Sequence, residues 1–229
     1  MPKGGDLHNH LGGAIYAENL IGFAVQDRLC LDRRSLGIVS AACDTPCNKE
    51  SAILAAQCAD RDQELYNSIV DAWSIRNWER GYESGHDHFF STFSKFERVF
   101  ENHTGEFIAV AMNQAAADHL QYLELMHTIG GSSAALLGAK LNWDGNFSEA
   151  RQKLIANGFE ENISQIRKQL DGDEQTARKK LACGSDSPEP GCQVTTRYLY
   201  QVLRGFPPEQ VFAQILTGFK LASVDPRVV

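Results

Sequence analysis

The chain has 229 residues, of which 22 are Lys or Arg and 29 Asp or Glu, giving a net charge of −7 with 43% hydrophobic and 22% charged residues. At about 150 residues per domain this is one to two domains, with chain enough to bury a core unaided. The acidic balance speaks against non-specific nucleic-acid binding, no apolar run approaches the ~20 residues of a bilayer span, and Met1 to Asp6 lacks the apolar stretch of a signal peptide.

Residues 5–11 read as a short opening strand and 17–28 as a helix, with 30–50 irregular. From Glu50 to Trp78 the spacing of Ile53, Leu54, Ala56, Leu65, Ile69, Val70 and Trp73 predicts helix. A loop with Gly81 and Gly85 leads into an aromatic segment in which Phe89, Phe93, Phe96 and Phe100 recur at helical spacing. Glu106 to Leu120 is an amphipathic helix after Thr104-Gly105, and Tyr122 to His127 alternates like a strand. Residues 147–171 predict one long polar helix, 172–193 a charged and then Pro/Gly-rich excursion, and 195–203 a strand. Pro207-Pro208 opens a helix over 209–221. Val228 and Val229 read as a strand that stops as it begins, as in a fragment. Strands alternating with helices imply parallel pairing and an α/β fold.

The six cysteines are Cys30, Cys43, Cys47, Cys58, Cys183 and Cys192. None forms Cys-x-x-Cys, which speaks against a thiolate zinc site. Cys43 and Cys47, and Cys183 and Cys192, lie in turn-rich stretches able to form disulfides. Of these, Cys183 and Cys192 enclose a short loop and are the best-placed pair. Disulfides would put the protein outside the cytoplasm, periplasmic or secreted, and this reading is favoured over free thiols in a cytosolic protein.

His8 and His10, one residue apart on the first strand, point to the same face by the strand's period of two. Two imidazoles at a strand's C-terminal end can offer two nitrogens to one metal, and Gly12-Gly13-Ala14 leaves room for a ligand beside them. The alternative is two partly exposed histidines satisfied by hydrogen bonds. His86 and His88 open a helix, where residues two apart diverge and cannot share a metal. The Phe stripe fits either a core or an apolar pocket for a flat base. Glu124 and Arg204 are candidate interior polar residues or members of an ion pair.

Met1-Pro2-Lys3-Gly4-Gly5-Asp6-Leu7-His8-Asn9-His10-Leu11-Gly12-Gly13-Ala14 resembles the first strand of the adenosine deaminase family. It is closest to the secreted, growth-factor-related branch, in which Pro-Lys-Gly precedes Leu-His-x-His. His88 to Phe96 resembles the helix before the family's second half, Tyr122-Leu123-Glu124-Leu125 its second strand, and Asp225-Pro226-Arg227-Val228-Val229 the lead into its fourth. The resemblance runs in order along most of the chain, with insertions at about 30–60 and 129–193.

It implies a (β/α)8 barrel of the amidohydrolase superfamily, a metal-dependent hydrolase with one catalytic Zn2+ that deaminates adenosine to inosine. His8 and His10 match two zinc ligands. The family's third histidine, its Asp ligand and its His-x-Gly-Glu proton donor have no match, and no histidine follows His127. The chain is therefore expected to be a single domain holding the N-terminal part of the barrel, about strands 1 to 4, with the proton donor beyond Val229 and no catalytic residue of its own. Substrate-binding positions implied are Gly12, where many members carry a ribose-holding Asp, with Phe93 and Phe96 on the pocket helix. His127, ending the second strand, is a further pocket position. The expected partner is a small-molecule nucleoside, with no nucleic acid, no membrane and possible homo-oligomers. The alternatives are an inactive truncated fragment, a non-catalytic binding protein, or an amidohydrolase with a non-purine substrate.

Overall fold

The structure, a computed structural model, describes residues 1, 3–43, 47–48 and 50–229, with the backbone alone for 40–42. These residues form two compact units: one of Met1–Ala14 with Gly105–Val229, the other of Ile15–Thr104. Strand β1 (Gly4–His10) opens the first unit and ends in a one-turn 3-10 helix, Leu11–Gly13.

The second unit then begins with α1 (Ala17–Gln26), whose Leu20, Ile21 and Ala24 are buried. Three short strands follow: β2 (Leu29–Asp32), β3 (Ile38–Ala42) and β4 (Ile53–Ala55), antiparallel in the order β3-β2-β4. The stretch expected to be irregular thus contains two strands, and the expected long helix from Glu50 does not form. In its place come β4, a 3-10 turn at Ala56–Asp60, and α2 (Gln63–Trp73), which starts only where Asp62 caps it by accepting from the Leu65 amide at 3.1 Å. The physical reason is covalent and local. Cys30 is bonded to Cys43 and Cys47 to Cys58, while Cys30 pairs in register with Ala55. Helix α3 (Gly85–Phe96) is capped by Ser84 on the Asp87 amide, and Trp73 donates its indole N–H to the Leu36 carbonyl at 2.7 Å.

The chain returns to the first unit through α4 (Thr104–Ala117) and β5 (Leu120–His127). After α5 (Ser133–Gly138) come α6 (Phe147–Ala156) and α7 (Phe159–Lys180), where one helix was expected. Asn157-Gly158 breaks it: Gly158 takes φ +94°, a left-handed value cheap only for glycine. Helix α7 runs past Gly172 because Ile163, Ile166, Leu170 and Ala177 keep one buried face going. Cys183 and Cys192 are disulfide-bonded, as the turn-rich loop between them led us to expect. Strand β6 (Thr195–Tyr200) and α8 (Pro208–Val224) complete the unit.

The sheet of this unit has the order β1-β5-β6, both pairings parallel, and Val228 makes a further parallel bridge to Tyr198. The fold is therefore mixed α/β with a parallel three-stranded sheet and helices, and three strands and one bridge stand where about four strands were expected. One sheet face is apolar and covered: Leu123, Leu125 and Tyr198 are at most 1% exposed. An ion-pair network ties α7 to the segment after α8. Asp225, 2% exposed, accepts from Nε and Nη2 of Arg227 at 2.9 and 2.7 Å and from Arg167, while Arg227 also reaches Asp171 and Glu174, each at 2.8 Å.

Candidate metal centre

The two histidines stand at the C-terminal end of β1, where the strand is bulged. Asp6 pairs with Leu123 and Asn9 with Leu125, so three steps on β1 match two on β5. The bulge puts Asp6 and Asn9 on the same covered face, where the Asn9 amide donates to Asp6 at 2.8 Å and the other Asp6 oxygen accepts from the His8 backbone N–H at 3.1 Å. His8 and His10 are left exposed, their ring centroids 5.2 Å apart and their planes inclined at 68°. Gly5 pairs with Tyr122, and a Cβ at Gly5 would lie 3.1–3.3 Å from Tyr122 atoms, so a glycine lets the two strands approach below the pair.

His10 is in register with Met126, and period two then sets Tyr122 and Glu124 on β5, and Arg197 and Leu199 on β6, on the same face as His10. Tyr122 donates to Glu124 at 2.8 Å, and this bond raises the Tyr122 pKa. Glu124 thus lies half-buried on the face of His10, and Arg204 lies in an exposed turn beyond β6.

His127, the further pocket position expected from the sequence, ends β5. It follows Met126, so its ring lies on the opposite, covered face, 6.0 Å from the Tyr198 ring and in register with Tyr200. The residue as a whole is only partly covered, but its Nε2 is buried with no hydrogen-bond partner among the described residues, and burial lowers the imidazole pKa to about 4. The structure thus sets His127 on the sheet face opposite to that of His10. The alternation of Leu123, Leu125 and His127 carried this signal in the sequence.

Gly12 lies in the 3-10 turn directly after the pair. Phe93 and Phe96 belong to α3 of the other unit. Phe96 is 3% exposed, with its ring centroid 5.9 Å from Trp73 and 5.6 Å from Phe100, so the core reading of the stripe holds there. Phe93 is half-buried beside it. The sequence candidates brought together are therefore His8, His10 and Gly12. His88 is engaged elsewhere, Nδ1 with Glu83 at 3.0 Å and Nε2 with the Ser74 carbonyl at 2.9 Å.

The donor set fits a zinc site only in part. Two imidazoles on one face supply two of the usual four ligands. Among the described residues no group of three or more His, Cys, Asp or Glu is placed to hold a metal, and every cysteine is in a disulfide. No known protein family, curated protein or solved structure matches the chain.

Proposed function

We propose that the β1-β5-β6 sheet is the first part of a (β/α)8 barrel and that His8 and His10 are two of the zinc ligands of an adenosine deaminase-like hydrolase. The observation that carries this reading is the exposed histidine pair at the C-terminal end of the first strand of a parallel sheet ordered as the chain runs. That end of the strands is where such barrels place their chemistry. A zinc ion held there would supply water activation. The role of this chain is to fix two of its ligands through the bulge at residues 7–8 and the Asp6–Asn9 contact beneath it. Gly12, standing where the family resemblance implies a ribose-holding Asp, favours a second reading, an amidohydrolase with a non-purine substrate. The three disulfides support a location outside the cytoplasm.

The test has two parts. The 229-residue chain, dialysed after zinc loading, should retain well under one zinc per chain, and His8→Ala should abolish what it binds. The polypeptide that carries the remaining strands should convert adenosine to inosine and lose that activity in His8→Ala and in His10→Ala. Full activity in either variant overturns the ligand assignment. Turnover of another amine or amide substrate, with none of adenosine, selects the second reading.

A further inference from the structure

Three Asn-x-Ser/Thr triplets occur in the chain: Asn102-His103-Thr104, Asn146-Phe147-Ser148 and Asn162-Ile163-Ser164. Such triplets accept N-linked sugar, and the structure separates them by what surrounds each side-chain amide. Asn162 lies within α7, 7% exposed, with its Nδ2 buried. A sugar there would have to leave through the packed face of the helix. Asn102 is exposed, but its Nδ2 donates to Asp27 at 3.3 Å.

Asn146 differs from both. It is the N-cap of α6, extended at φ −85° and ψ 98°, and it follows Gly145, which is left-handed at φ +86°. Its backbone N–H donates to Asp144 at 2.8 Å, and its Oδ1 accepts from the Glu149 amide at 3.1 Å. The cap therefore uses the oxygen and leaves Nδ2 without a bond among the described residues. Asn146, Phe147 and Ser148 are all exposed. Phe147, 63% exposed, also belongs to an aromatic cluster with Trp143 and Phe212, at centroid distances of 5.3 and 5.5 Å. A sugar chain rooted one residue away would cover apolar surface that the protein leaves in water.

We propose that Asn146 is an acceptor for an N-linked oligosaccharide. The donor is a polyprenyl-pyrophosphate-linked oligosaccharide. The bond formed joins Asn146 Nδ2 to the anomeric carbon, the bond broken joins that carbon to the pyrophosphate oxygen, the amide gives up one proton, and the lipid pyrophosphate leaves. The proposal rests on the extracytoplasmic reading for its biological setting but not for its test, since the test supplies the route.

The chain is produced in eukaryotic cells behind an added secretory leader, and peptides of the product are mapped by mass spectrometry before and after peptide N-glycosidase. We expect sugar on the Asn146 peptide in most molecules and none on the Asn162 peptide. Asn146→Gln should lose the modification. Ser148→Ala should lose it equally while keeping the Asn146 cap, so a folding defect in the first variant leaves the second to give the answer. Bare Asn146 in the wild-type product overturns the proposal, as does an unchanged mass on peptide N-glycosidase treatment. Sugar on Asn162 of folded protein overturns the structural basis for choosing Asn146.

Discussion

Replacing Arg227 with Met should be among the most damaging single changes in the parallel-sheet unit. Asp225 is 2% exposed and accepts three hydrogen bonds from Arg227, through the backbone N–H, Nε and Nη2, and a fourth from Arg167 at 3.3 Å. Hydrogen bonding to Arg227 holds the Asp225 carboxyl far below the usual carboxylate range, against the opposing effect of burial. Methionine keeps much of the stem's packing but removes the charge. The Asp225 carboxylate then stays buried with only the backbone N–H of residue 227 and Arg167, whose side chain is 47% exposed, to offset it. Leaving one member of a buried pair uncompensated costs about 3–5 kcal/mol. Asp225→Asn in the presence of Arg227 should cost less, about 2 kcal/mol, because no buried charge is stranded. The double variant should fall well short of the two losses combined.

The pH dependence has a definite sign. A carboxylate whose folded pKa is depressed stabilises the fold above its ordinary value of 3.8, and that contribution is lost as pH falls below it toward the depressed folded value. The difference between wild type and Arg227→Met should therefore be flat near neutrality and shrink in acid. Urea unfolding read through amide exchange of β6 and α7 measures both quantities. A loss below about 1 kcal/mol at neutral pH, or a difference that does not shrink in acid, would refute the idea that the network restrains a buried charge.

Asp173 should behave in the opposite sense. Burial and then the neighbouring Glu106 push its carboxyl up to about 6, so its unfavourable contribution grows as pH rises from 3.8 to that value. Asp173→Asn should stabilise the protein at neutral pH by about 1 kcal/mol, discounted for partial exposure, and leave it unchanged in strong acid, as thermal melts at the two pH values will show. Gly138→Ala should destabilise by about 1–3 kcal/mol in chemical denaturation, since the new methyl would meet the Glu209 carbonyl oxygen and the Gln210 Cα of α8 at 2.5 and 2.6 Å. Changing Cys183 and Cys192 together to Ser should cost about 2.5 kcal/mol by loop-closure entropy, read as a lower urea midpoint; an unchanged midpoint would mean that the unfolded loop is already constrained.

What the sequence disclosed follows the strength of its periodic signals. The strand at 120–127 and the helix before it were legible because apolar spacing and packing agree there. Over 53–60 the same spacing misled: Ile53, Leu54 and Ala56 satisfy a helical pattern, yet a disulfide and strand pairing claim that segment first. The break at Asn157-Gly158 had a local signal, a glycine at a helix end, which the polar run on either side obscured. At the candidate site, period two brought His8 and His10 together on paper as in space. The bulge beneath them left no mark in composition, because it exists only relative to the register of β5. The Asp225–Arg227 network was equally hidden, since its partners on α7 lie more than fifty residues earlier, at Arg167 and Glu174.

The pairing of the cysteines bears on how the chain is made. Six cysteines allow 15 pairings, and the one adopted joins each to its neighbour in sequence, at separations of 13, 11 and 9 residues. During vectorial synthesis every cysteine therefore meets its native partner before any later competitor has emerged. Loops this short close in well under a microsecond, whereas oxidation takes seconds or longer. The oxidant, rather than the search for a partner, sets the pace, and the long stretch between Cys58 and Cys183 separates the first two pairs in time from the third.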